Sequence, residues 1–164
     1  LLVGQPGVGK TSFVHALCRE FDIDLIELNA SDTRNKNLLA QVIFPIFSNA
    51  SLTGKNFLLF LDEIDGISNR EDSGGLDFLL DLFKEPSIRV VMAANKSNEA
   101  IKKISKVSKT ITFSPIPPRL SMLYLDRILR LQNSSMKLED SIAVVRNCFG
   151  DIRSLLNAAQ VMKA

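Results

Sequence analysis

Gly4-Gln5-Pro6-Gly7-Val8-Gly9-Lys10-Thr11 is the stretch that decides how this chain is read. It fits the phosphate-loop pattern G-x-x-x-x-G-K-[ST] at every fixed position. An apolar run, Leu1-Leu2-Val3, comes before it, and a helical pattern, Ser12-Phe13-Val14-His15-Ala16-Leu17, comes after. Strand, loop and helix in that order are the context in which the pattern carries chemistry. Glycines let the backbone come close to a phosphate and adopt positive φ. Loop N–H groups and the N-terminus of the new helix then face the anion. Residues 4 to 12 are therefore candidate nucleotide-binding residues, with Lys10 reaching the β- and γ-phosphates and Thr11 ligating Mg2+.

Apolar runs alternate with helical patterns further along. Leu25-Ile26-Glu27-Leu28 reads as a second strand, and Phe57-Leu58-Leu59-Phe60-Leu61 as a strand buried on both faces. Arg89 to Ala94 reads as a fourth strand and Thr110 to Phe113 as a fifth. Helical patterns cover residues near Asn37 to Phe47, disturbed by Pro45, and Leu76 to Lys84, ended by Pro86. This alternation predicts an α/β fold with a doubly wound parallel five-stranded sheet. Ser114-Pro115-Ile116-Pro117-Pro118 is a stiff connector, and only helices follow it. One helix runs from about Pro118 to Leu131, a second starts after Lys137, and a third is capped by Asp151 and ends near Met162. The expected division is a core over residues 1–115 and a small three-helix lid over residues 116–164.

The 164 residues suit one domain, or one domain with a small appendage. Nearly half are apolar, so a core can form, yet no apolar run is long enough for a membrane helix. The chain opens inside an apolar strand with no lead-in, which reads as the interior of a longer protein. A net charge of +2 argues neither for nor against nucleic acid. Cys18 and Cys148 are far apart and read as buried small hydrophobes of a reducing compartment. His15 has no acidic or Cys partner nearby in sequence and reads as a packed or surface residue.

Asp62-Glu63 ends the central apolar strand with two carboxylates. In a parallel sheet the carboxyl ends of the strands face the ligand crevice, so Asp62 arrives beside the phosphate loop. There it can hold Mg2+, and Glu63 can orient the attacking water. Asn95 ends the next strand, where a neutral amide can bond the γ-phosphate or the water without competing for the metal. Arg153 follows Gly150-Asp151-Ile152 at the start of the last helix.

Taken together, the phosphate loop, Asp62-Glu63, Asn95 and Gly150-Asp151-Ile152-Arg153 resemble an AAA+ ATPase. Glu27-Leu28-Asn29-Ala30-Ser31-Asp32 is similar to the signature after the second strand in clamp loaders of the replication factor C type. Asp62-Glu63-Ile64-Asp65-Gly66 and Gly150 to Asn157 resemble further blocks of that family. Asp32 to Lys36 and the Glu71-Asp72-Ser73-Gly74-Gly75 loop look most like the large subunit, archaeal or eukaryotic, with the checkpoint loader subunit as the alternative. The resemblance implies binding and Mg2+-dependent hydrolysis of ATP, with catalytic roles for Glu63, Lys10, Asn95 and Arg153. Thr11 and Asp62 would serve the metal, and Arg153 would sense the γ-phosphate.

The resemblance further implies small subunits in a hetero-pentamer, a sliding clamp and primer–template DNA as partners, and no membrane. The implied location is intracellular, the nucleus in a eukaryote and the cytoplasm in an archaeon. Arg34, Lys36 and Arg70 are candidates for DNA phosphate contacts, with solvated surface charge as the competing reading. Small clamp-loader subunits carry Ser-Arg-Cys before the fifth strand, and that Arg completes a neighbour's site. Here the stretch is Lys106-Val107-Ser108-Lys109, so the resemblance implies a subunit that gives no arginine finger. Lys109 stays open as a substitute, although a Lys lacks the planar fork. Two other functions compete: an assembly module that binds ATP with little hydrolysis, and a different AAA+ machine. Intact Lys10, Thr11, Asp62 and Glu63 weigh against the first, and Glu27 to Asp32 against the second.

Overall fold

A computed structural model describes residues 1–30, 56–66, 77, 80–81 and 89–163. The expected helix near residues 37–47, Ser31 and Asp32 of the signature, Arg34, Lys36 and the loop with Arg70 lie outside the described residues, as does most of the helical pattern at 76–84.

Five strands form one parallel sheet in the order β2-β3-β4-β1-β5. They are β1 (Leu2–Gly4), β2 (Asp24–Asn29), β3 (Phe57–Asp62), β4 (Arg89–Ala94) and β5 (Ile111–Phe113). The register is set by Leu61 opposite Met92 between β3 and β4, Leu28 opposite Leu61 between β2 and β3, and Leu2 opposite Ala93 between β1 and β4. β3 carries Leu58, Leu59, Phe60 and Leu61, all buried. Such a run, apolar at every position, suits a strand covered on both faces. Chain connections from β1 and β4 leave in opposite directions along this order. That makes the β1/β4 boundary the topological switch point, where open α/β sheets present their crevice.

Two further helices belong with these strands. α1 (Lys10–Glu20) buries Lys10, Val14 and Cys18, at positions i, i+4 and i+8. α2 (Glu99–Val107) buries Ala100, Ile101 and Ile104 and presents Lys102 and Lys103 outward. Its N-cap is Asn98, whose Oδ1 accepts the N–H of Ile101 at 2.8 Å. Leu59, Leu61, Ile64, Met92, Ile101 and Ile104 pack in one apolar core.

The chain divides into two compact units, Leu1–Val3 with Lys10–Thr112, and Gly4–Gly9 with Phe113–Ala164. The second contains three helices, α3 (Pro118–Leu131), α4 (Leu138–Asn147) and α5 (Ile152–Lys163). Pro118 sits at the first helical position of α3, where its missing N–H costs nothing. Leu125, Val144, Val145, Leu155 and Ala159 make the core of this unit. Among the described residues no helix is long and apolar enough to cross a membrane.

Candidate functional site

Lys10 is almost wholly buried, at 5% exposure. A buried ammonium needs partners, because desolvation of a bare charge is expensive. Its Nζ donates to Asn95 Oδ1 at 2.8 Å, across 85 residues of sequence. Asn95 is the first residue after β4, so the sheet itself delivers this amide to the lysine. Thr11 Oγ1 donates to Asp62 Oδ2 at 2.7 Å, at the end of β3. The residues that follow the glycine loop thus meet the ends of two adjacent strands.

Glu63 follows Asp62 and is exposed, with φ of 55°. The left-handed region is uncommon for a residue with a long side chain, and such strain gathers at functional sites. Its N–H donates to Asp62 Oδ1 at 2.8 Å. Asp62 therefore accepts from Thr11 on one oxygen and from its neighbour's peptide on the other. Asn29, the last residue of β2, donates from Nδ2 to Glu63 Oε2 at 3.4 Å.

Hydroxyl and carboxylate are hard oxygen donors of the kind Mg2+ takes. Two neighbouring ligands on an octahedral Mg2+ are about 2.8–3.0 Å apart, given bonds of about 2.0–2.1 Å. The 2.7 Å between Thr11 Oγ1 and Asp62 Oδ2 is compatible with that spacing. No group of three or more His, Cys, Asp or Glu able to hold a metal occurs among the described residues. Mg2+ in nucleotide sites keeps several waters and takes phosphate oxygens, so one carboxylate and one hydroxyl fit it without an all-protein cage.

In the second unit the loop Gly4–Gly9 is bonded to the start of α5. Ile152 N–H donates to the carbonyl of Gly7 at 3.0 Å. Gly7 has φ of 70°, and a Cβ there would overlap the Asp151 carboxylate, so glycine is required on both counts. Gly9, with φ of 94°, needs glycine for its backbone alone. Gln5 and Pro6 are exposed and Val8 is buried. Asp151 caps α5, its Oδ1 accepting the N–H of Ser154 and its Oδ2 the Ser154 hydroxyl, both at 2.9 Å. Arg153 is exposed in the first turn of α5. A cation there opposes the helix dipole. Ser12 is exposed on the first turn of α1.

Sequence reading missed three relationships. Asp65 Oδ1 accepts the peptide N–H of Asn95 at 2.9 Å, and Asn98 Nδ2 donates to the Asp65 carbonyl at 3.2 Å. His15 Nε2 lies 2.9 Å from Glu27 Oε2, a partner 12 residues away on β2. The spacing of Asp65 within Asp62-Glu63-Ile64-Asp65 is the only sequence signal for the first two. Burial raises the thiol pKa of Cys18, and burial with the nearby Asp151 carboxylate raises that of Cys148. Both are free cysteines; Cys18 is buried as expected, whereas Cys148, at the C-terminal end of α4, is only half-buried.

Residues 1–115 match the family model described as "ATPase family associated with various cellular activities (AAA)". The chain is 34% identical over 163 residues to the replication factor C large subunit of Aeropyrum pernix, an overlap of 99% of this chain and 34% of that protein. It is 36% identical over 162 residues to the replication factor C large subunit of Thermofilum pendens, covering 98% of this chain and 39% of the relative. The same-named protein of Methanococcus vannielii is 34% identical over 170 residues, with 99% and 33% covered. The chain thus spans between 33% and 39% of the length of these relatives. With a phosphate loop and strand-end carboxylates of this geometry, and a family match over residues 1–115, the chain belongs to the AAA ATPases.

Proposed function

We propose that this chain is the nucleotide-binding and hydrolysing part of a clamp-loader subunit, which binds ATP with Mg2+ and uses it to open a sliding clamp and load it on primer–template DNA. The pairing of Lys10 with Asn95 and of Thr11 with Asp62 is the observation that carries the nucleotide reading. The names of the relatives in Aeropyrum and Thermofilum support the clamp-loader reading.

The roles follow from the chemistry of the side chains. Backbone N–H groups of residues 4–9 and Lys10 hold the triphosphate; Lys10 offsets its charge in a partly dehydrated loop. Thr11 and Asp62 hold the metal, directly or through water. Mg2+, when bound, neutralises charge on the β- and γ-phosphates. Glu63 orients and polarises water for in-line attack. Asn95 bonds the γ-phosphate or that water, and Arg153 stabilises γ-phosphate charge from the first turn of α5. Residues 1–115 form the ATPase core and residues 116–164 the lid. The subunit works inside the cell, beside small subunits in a hetero-pentamer, and receives an arginine finger without giving one.

Glu63→Gln tests the hydrolytic half of this reading in the full-length protein with its neighbours present. The amide keeps the shape but not the carboxylate's action on water, so ATP binding should persist while turnover stops. Near-normal turnover would remove Glu63 from the role.

A further inference from the structure

Asp65 lies half-buried in the 3-10 turn Ile64–Gly66, two residues past Glu63. Its carboxylate accepts the peptide N–H of Asn95 at 2.9 Å, and its carbonyl accepts Asn98 Nδ2 at 3.2 Å. Asn98 uses its other side-chain atom, Oδ1, to cap α2. Asn95 in turn accepts from Lys10 Nζ at 2.8 Å. A single residue therefore bonds the turn after β3, which carries Asp62 and Glu63, to the turn after β4, which carries Asn95. Asn95 follows the last ladder residue, Ala94, so strand pairing no longer holds its backbone.

We infer that Asp65 is a positioning residue for ATP hydrolysis. It holds the peptide of Asn95 so that the side-chain amide stays aimed at Lys10 and the γ-phosphate, in fixed register with Glu63. The inference rests on the nucleotide reading above. Cutting the bond frees the turn after β4, and a misplacement of about 1 Å in a positioned group costs on the order of a hundredfold in rate. Triphosphate affinity depends on the loop amides and Lys10, which Asp65 does not touch, so binding is spared. The role needs an oxygen acceptor and not a charge. Asp65→Asn keeps an acceptor oxygen at the same reach.

ATP turnover and the affinity for a fluorescent ATP analogue, measured on the full-length protein with its neighbours present, test this. Asp65→Ala should lower kcat about tenfold to a hundredfold with affinity unchanged within about threefold. Asp65→Ser, whose hydroxyl is too short to reach Asn95, carries the same expectation if the alanine variant does not fold. Asp65→Asn should restore most of the turnover. Ile104→Val, a truncation in the core of the same unit, should lower thermal stability and leave kcat unchanged. Normal kcat in Asp65→Ala, equal losses in Asp65→Asn, or loss of kcat in Ile104→Val at the same drop in Tm would each overturn the positioning role. Lys10→Ala, run alongside, separates the two levels. If Lys10→Ala loses nucleotide and Asp65→Ala keeps its kcat, only the positioning role falls; if Lys10→Ala binds normally, the nucleotide reading falls and takes the role with it.

Discussion

Thr11 Oγ1 and Asp62 Oδ2 stand 2.7 Å apart, joining the first turn of α1 to the last residue of β3 across 51 residues of sequence. The hydroxyl donates and the carboxylate accepts, and both are oxygen donors of the kind a hard cation prefers. Because β3 is buried and paired on both sides, the carboxylate is fixed by a rigid strand and not by a loop.

Removing that carboxylate's charge should expose its task. Asp62→Asn should raise the Mg2+ concentration needed for half-maximal ATP turnover by at least the roughly tenfold that loss of an outer-sphere partner costs. Titrating Mg2+ against turnover in the full-length protein checks it. An unchanged Mg2+ requirement would remove Asp62 from the metal.

Gly7 leaves no room for a side chain, since a Cβ would meet the Asp151 carboxylate in a backbone conformation with φ of 70°. Gly7→Ala should destabilise the protein by more than about 1 kcal/mol. Asp151→Ala, which removes the cap of α5, should cost about 1 kcal/mol. The double variant should be less than additive, because the alanine at 151 vacates the space that the Cβ needs. Thermal denaturation of the four proteins measures the coupling, and strict additivity would contradict the contact.

The five strands, to within a residue at their ends, and the proline that opens α3 were legible in the sequence because each is a local signal. Pro118 suits the first turn of a helix, where its missing N–H costs nothing, and the run Leu58 to Leu61 suits a strand buried on both faces. The pairing of Asn95 with Asp65 and Lys10 was not legible, because it depends on β4 lying between β3 and β1. Nor was α2 read, although Asn98 is a good cap residue. Its apolar positions, Ala100, Ile101 and Ile104, are few and sit among four lysines within 102–109. Gly7 meeting Ile152 and Asp151 joins positions near opposite ends of the chain, which no local pattern announces.

Cysteine chemistry offers a check on packing. Cys18 is 4% exposed and its thiol pKa is raised by burial. A raised pKa means less thiolate in the folded than in the unfolded protein at neutral pH. Iodoacetamide should modify Cys18 slowly at pH 7.5 and quickly once the protein is unfolded. The rate in the folded protein should rise with pH beyond the ordinary thiol range. Fast labelling of folded protein, located by mass spectrometry, would contradict the packing of α1.

Leu155 is 1% exposed in the core of the three-helix unit. Leu155→Ala removes buried methyl groups and leaves a cavity, so it should cost about 2–5 kcal/mol. Denaturant unfolding of the full-length protein measures it; a cost within experimental error of zero would contradict the core described for α3, α4 and α5.

The nucleotide site rests most heavily on Lys10, a buried ammonium bonded to Asn95. Equilibrium titration of the full-length protein with a fluorescent ATP analogue, comparing wild type with Lys10→Ala, is the most direct test. Loss of tight binding in the variant, with its fold intact by circular dichroism, is the predicted result. Unchanged affinity would contradict the assignment of residues 4–12 to phosphate binding.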